Sequence, residues 1–231
     1  MLQEYIDRFG PPGGVVIVHV YDIWSRDLNP VILGQIPRPW GFWKERSMGS
    51  ELLHPQQVRL ELFQERYIPL LSQRSTLQTI LRSVFSGKLV PFREKWHMER
   101  DGFLMEVNAQ PEIAIQDGKD HMQFVRENQP ALSLINQASL RELKGIAETY
   151  QVPIYLVNSP LIETLNSDEG FQAYQAGLHA QMESIIGQSE WVHLISEVKT
   201  FPANQLQTAD HLIYPGAQVF TSWLIQAVLS R

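Results

Sequence analysis

Cysteine is absent from the chain, which removes disulfide frameworks, thiolate zinc sites and cysteine nucleophiles together. Long apolar runs are absent too: the longest, Val15 to Val20, has His19 inside it and is far too short to span a bilayer. The N-terminus has no basic stretch leading into an apolar one, so nothing in these residues reads as an export signal or an anchor, and the compartment stays open. Positive charge is scarce. Lys and Arg number 19 against 25 Asp and Glu, a net charge of -6, and without a basic run nucleic acid is not an expected partner. No glycine-rich phosphate loop occurs, because Gly13-Gly14 precedes a strand rather than a helix, and no cofactor is expected.

What remains is an ordinary globular composition, with 44% apolar and 19% charged residues over 231 positions, enough for one α/β core and one domain over residues 1–231. Leu2 to Phe9 reads as a short helix ended by Gly10-Pro11-Pro12-Gly13-Gly14. The β-branched run Val15 to Val20 that follows has the pattern of a central strand buried on both faces. From Ser25 to Pro111 the chain is long, irregular and rich in tryptophan: Trp40, Trp43 and Trp96, with Trp24 just before them, are four of the chain's six. Helical periodicity over Gln56 to Glu65 and Leu70 to Phe85 marks residues 25–111 as a helical insertion, either a cap over the sheet or a lid or acyl-binding surface. Asp101 to Val107 reads as a turn and a short extended piece outside the main sheet, and Lys119 to Glu127 as a short helix.

Beyond Ser139 the elements alternate. A helix striped by Leu140, Leu143, Ala147 and Tyr150 leads to the strand Val152 to Val157. A second, capped by Ser167 and striped by Phe171, Tyr174, Leu178 and Ile185, leads to the strand Trp191 to Ile195. A last helix runs from Pro215 to Leu229. Strands separated by helices predict a parallel sheet, with Val15 to Val20 beside Val152 to Val157. Among the histidines, His179 and Glu183 lie one helical turn apart, a spacing that suits a metal pair; with no third ligand they read as a solvated face, and no metal is expected. His54, His97 and His121 read as loop residues.

The run Asp210-His211-Leu212-Ile213-Tyr214-Pro215-Gly216-Ala217-Gln218-Val219-Phe220-Thr221 places a histidine on a loop just before a turn and a helix. A His, a Gly-Ala turn, Phe-Thr and a last apolar helix resemble the C-terminal signature of SGNH (GDSL-type) hydrolases and acyltransferases. The resemblance implies a flavodoxin-like, three-layer sheet of about five parallel strands with helices on both faces. It also implies that His211 is the general base of a Ser-His-Asp triad. The family's Asp lies three residues before the His, where this chain has Thr208; the nearest carboxylate is Asp210, so the orienting partner is either Asp210 or Thr208. The family's Gly-x-Asn-Asp motif corresponds to His19-Val20-Tyr21-Asp22, in which Tyr21 would be the oxyanion donor in place of Asn. Asn158-Ser159-Pro160 also resembles the end of the fourth strand in membrane-linked SGNH-like proteins.

The nucleophile is the missing part. The family's Ser sits in a Gly-Asp-Ser or Gly-Ser-Ser turn after the first strand, and this chain has no such turn: Ser50 after Gly49 and Ser86 before Gly87 do not follow a buried strand. Losing a triad Ser costs about 2 × 10⁶ in turnover, against about 3 × 10⁴ for its Asp, so the Ser decides the matter. Two readings follow. The chain is an SGNH-like ester hydrolase or O-acyltransferase domain, incomplete at its N-terminus, acting on an acyl ester or an acylated glycan with a serine from outside these residues. Alternatively it is a non-catalytic binding or scaffold protein that uses the tryptophan-rich insertion as a contact surface. In either case an uncovered edge on Val15 to Val20 would invite a second copy.

Overall fold

The computed structural model describes residues 2–26, 68, 97–98, 104–105 and 108–229. By its contacts the chain divides into two compact units, Met1–Arg26 with Trp96–Arg231, and Asp27–Lys95. The helices expected over 56–65 and 70–85, with Trp40 and Trp43, lie outside the described residues. Helix α1 (Leu2–Phe9) leads into strand β1 (Val15–His19) and a 3-10 turn, Tyr21–Ser25. A small antiparallel pair, β2 (His97–Met98) and β3 (Leu104–Met105), stands apart from the main sheet as expected.

Helices α2 (Pro111–Glu127), α3 (Leu134–Tyr150), α4 (Glu163–Asn166), α5 (Glu169–Ile186) and α6 (Tyr214–Leu229) are interspersed with the remaining strands. These are β4 (Ile154–Asn158), β5 (Leu161–Ile162), β6 (Val192–Ile195), β7 (Thr200–Phe201), β8 (Leu206–Thr208) and β9 (His211–Leu212). The architecture is mixed α/β. Its main sheet is parallel in the order β1-β4-β6, with Val15 opposite Ile154 and Ile154 opposite Val192. The adjacency expected of the three apolar runs is therefore what the structure has. A second parallel pair, β5 with β7, was not visible in the sequence, where Pro160 reads as a strand's end.

Local chemistry sets the helix limits. Pro111 opens α2 at a position whose N–H would be unpaired in any case. Ser133 caps α3 by accepting from Asn136 N–H, and the helix ends at Gln151, left-handed at φ 52°, two residues before Pro153. Asp168, rather than the expected Ser167, caps α5, accepting from Phe171 N–H at 2.9 Å. That bond, reinforced by Arg126, holds the Asp168 carboxyl below its ordinary pKa. The core gathers Leu140 and Ala147 of α3, Leu178 and Met182 of α5, and Ile154 and Leu156 of β4, all buried. Leucine and isoleucine each contribute about 1.5–3 kcal/mol by such burial.

Strand β1 corrects one expectation. Among the described residues it lies at the sheet's edge, the uncovered edge expected of it, but it is not buried on both faces: Val16 is 42% and Val18 45% exposed, while His19 is buried. A continuous β-branched run cannot by itself distinguish an edge from a centre, because both satisfy the same backbone preference.

Candidate active site

The ends of β1, α2 and the β8–β9 hairpin meet around a cleft of about 360 Å³ lined by Val20, Asp22, Ile23, Arg26, Asp117, His121, Thr208, Asp210 and His211. The hairpin supplies its centre. Thr208 pairs with His211 across the ladder, and Ala209 and Asp210 form the turn between them. Ala209 is wholly buried and clamped on both sides: its N–H donates to Asp117 Oδ2 at 2.7 Å, and its carbonyl accepts from Ile162 N–H at 2.8 Å. Helix α6 then starts against the hairpin, where a Cβ on Gly216 would meet Leu212 Cδ2 at 2.9 Å. A larger residue there would displace Leu212 and crowd the Gln205 carbonyl, 3.2 Å from the same point.

The turn folds Asp210 back onto its neighbour. Its Oδ1 lies 2.6 Å from His211 Nδ1 and accepts from the Thr208 hydroxyl at 2.9 Å, and Thr208 Oγ1 stands 2.7 Å from the same Nδ1. A carboxylate only accepts, so the imidazole proton belongs on Nδ1 and the lone pair on Nε2. Thr208 and Asp210, the two alternatives for orienting the base, are thus both engaged, with Asp210 as the anion. The bond to Asp210 raises the His211 pKa; burial works against this, and the charges of Asp210 and Asp117 add to it. Burial pushes Asp210 up, but the bond from His211, its charge and the Thr208 hydroxyl outweigh this and leave the carboxyl low.

Tyr21 does not line the cleft. Its ring sits edge-on to Phe171 and Tyr174 in the core, and its hydroxyl is 2.9 Å from Nδ1 of His121, which does line it. Burial, then the charge of Asp22, raises the phenol pKa, so Tyr21 stays protonated. His121 lies on α2, which starts earlier than the helix expected over Lys119 to Glu127 and overrides the reading of His121 as a loop residue, with Nε2 3.5 Å from Asp117 one turn earlier. Asp22 faces the cleft and pairs with Arg26. Its turn is pinned from behind: the Asn136 side chain donates to the carbonyls of Ile23 and Trp24 at 2.8 and 2.9 Å.

Beneath the cleft lies a buried polar layer. His19 Nδ1 accepts from Trp24 Nε1–H at 2.9 Å, and His19 Nε2 has no protein partner. Desolvation, with a smaller push from His179, lowers the His19 pKa to about 3. His179 is buried, contrary to the solvated face expected for it, and bonds Asn158 Oδ1 at 3.2 Å. Asn158 in turn donates to the carbonyls of Ile195 and Ser196, tying β4 to β6. Burial lowers the His179 pKa, and Glu183 partly restores it. Sequence reasoning missed Asp117 and His121 as site residues. The available signal was their spacing of four on one helix, which puts both on one face.

Among the described residues, no group of three His, Asp or Glu is arranged to hold a metal ion, and no helix is long and apolar enough to cross a membrane. In comparisons with known proteins, no family model, curated protein or solved structure matches this chain.

Proposed function

We propose that the chain is an SGNH-like ester hydrolase or O-acyltransferase-type domain, with His211 as general base and Asp210 as the carboxylate that orients it. The observation that carries this reading is the 2.6 Å bond from His211 Nδ1 to Asp210, which leaves Nε2 as the basic nitrogen of a side chain lining a cleft. An imidazole fixed at Nδ1 by an anion can take a hydroxyl proton at Nε2 and return it to a leaving group, the role such a residue has in acyl transfer. The parallel sheet supports the placement, since open α/β sheets bind ligands beyond their strands' C-terminal ends, where β1 hands over to Asp22.

Among the described residues, no serine lines the cleft. The nucleophile in this reading comes from outside the described residues, from an upstream segment or a neighbouring chain, and it attacks an acyl or acetyl ester, on a glycan or a smaller alcohol. The missing serine is also what favours the second reading, a non-catalytic binding protein with the same fold. The DNA immediately upstream of the Met1 codon separates the two. An in-frame strand followed by a Gly-x-Ser turn supports the enzyme, provided that the longer product hydrolyses an acetyl ester and loses that activity on His211→Ala. A stop codon or unrelated sequence there supports the binding protein.

A further inference from the structure

Helix α2 reaches the same cleft with a second carboxylate and imidazole: Asp117 bonds the hairpin, and His121 the Tyr21 hydroxyl. Asp117 Oδ2 accepts the Ala209 N–H at 2.7 Å, at the middle of the Thr208-Ala209-Asp210-His211 turn, and Asp117 Oδ1 stands 3.5 Å from His121 Nε2. His121 Nδ1 is in turn 2.9 Å from the Tyr21 hydroxyl, which is anchored in the aromatic core. A chain of contacts thus runs from the core at Tyr21 through His121 and Asp117 to the backbone beneath His211. A buried N–H must find an acceptor, and here the acceptor comes from a residue 92 positions away.

We propose that Asp117 is a positioning residue for His211: through the Ala209 amide it fixes the turn that aims the imidazole. The proposal rests on the reading of His211 as a general base. Among the described residues, the charged and titratable groups around His211 are Asp210 on its own turn, Asp117 and His121 on α2, and Asp22 with Arg26 after β1. Of these, Asp210 and Asp117 raise the His211 pKa. Asp210 does so by direct bonding, whereas Asp117 acts from one bond further away and couples charge at the site to the backbone geometry of the turn.

The test is NMR on the whole 231-residue chain, following the Ala209 amide and the His211 ring through a pH titration in the parent, Asp117→Asn and Asp117→Ala. An Asn oxygen still accepts the Ala209 N–H but carries no charge. Asp117→Asn should therefore keep the downfield Ala209 amide while the His211 midpoint moves down. Asp117→Ala should lose the downfield amide as well as lowering the midpoint. A purely structural residue would leave the midpoint unchanged in the folded Asn variant, and that result would overturn the proposal. Should Asp117→Ala fail to fold, the Asn variant decides alone. No turnover is needed, so failure here is distinct from failure of the enzyme reading, which an absence of His211-dependent esterase activity would show.

Discussion

Asp210 and His211 are adjacent in sequence and bonded through their side chains, with Oδ1 2.6 Å from Nδ1. The chain thereby supplies an anion to its imidazole although the position three residues earlier holds Thr208, whose hydroxyl completes the triangle at 2.7 and 2.9 Å.

The pair has a pH signature. His211 has its folded pKa raised, so its contribution to stability is complete below the ordinary value of 6.5 and is lost as pH rises through the folded midpoint. Asp210 has its folded pKa lowered, so its contribution is present above 3.8 and lost as pH falls through the folded midpoint. Asp210→Asn should lower the His211 midpoint, measured by NMR titration, and Thr208→Val should lower it less, because the charge remains. A larger effect from Thr208 would make the hydroxyl the orienting group.

His19 predicts sensitivity to acid. The unfolded chain takes up this proton near pH 6.5 and the native chain near 3, so stability declines as pH falls between those values. One such proton is worth about 1.4 kcal/mol per pH unit. His19→Gln keeps an acceptor for Trp24 but cannot be protonated, and its unfolding free energy should fall less steeply with acid than the parent's, by that slope. Parallel curves from urea unfolding at several pH values would contradict the burial of an uncharged His19.

Tyr21 separates direct from indirect action. Its hydroxyl is held by His121, so Tyr21→Phe should destabilise the fold by about 1 kcal/mol, the net worth of one hydrogen bond. A direct oxyanion donor would instead cost about 10² to 10³ in turnover. We expect less than tenfold in any longer product that hydrolyses the ester. A loss of two orders would restore Tyr21 to the role that the resemblance implies.

The outer side of β1 is the fourth test. Its exposed Val16 and Val18 carry no charge that would discourage pairing, and β1 has no strand partner besides β4 among the described residues. We expect self-association, read as a dimer mass by light scattering and reduced by Val18→Lys. A monomer at all concentrations would contradict it.

The sequence carried the elements whose signal is local. The apolar runs of β1, β4 and β6 and the stripe Phe171, Tyr174, Leu178 mark strands and a helix by residue type and spacing alone, and parallel pairing follows from the crossovers between them. His211, Asp210 and Thr208 were legible because they lie within four residues on one turn. Asp117 was not, because its role depends on α2 docking beside Ala209, 92 positions later. His179 was misread for a similar reason: its spacing to Glu183 describes a helix surface, but that surface is turned toward Asn158 at the end of β4. Burial on both faces depends on what packs against the strand, which a β-branched run does not show, and so the exposure of Val16 and Val18 was not legible.

The most direct measurement is hydrolysis of a chromogenic acetyl ester by the 231 residues and by the longest in-frame product of the same gene, each against its His211→Ala variant. The account predicts no activity above buffer for the 231 residues, since a base without its nucleophile leaves only residual catalysis. For a longer product with a Gly-x-Ser turn it predicts hydrolysis that falls by about 10⁴ or more in His211→Ala. Hydrolysis by the 231 residues that is lost on His211→Ala would place the nucleophile within them, and a longer product indifferent to His211 would contradict the assignment of the base.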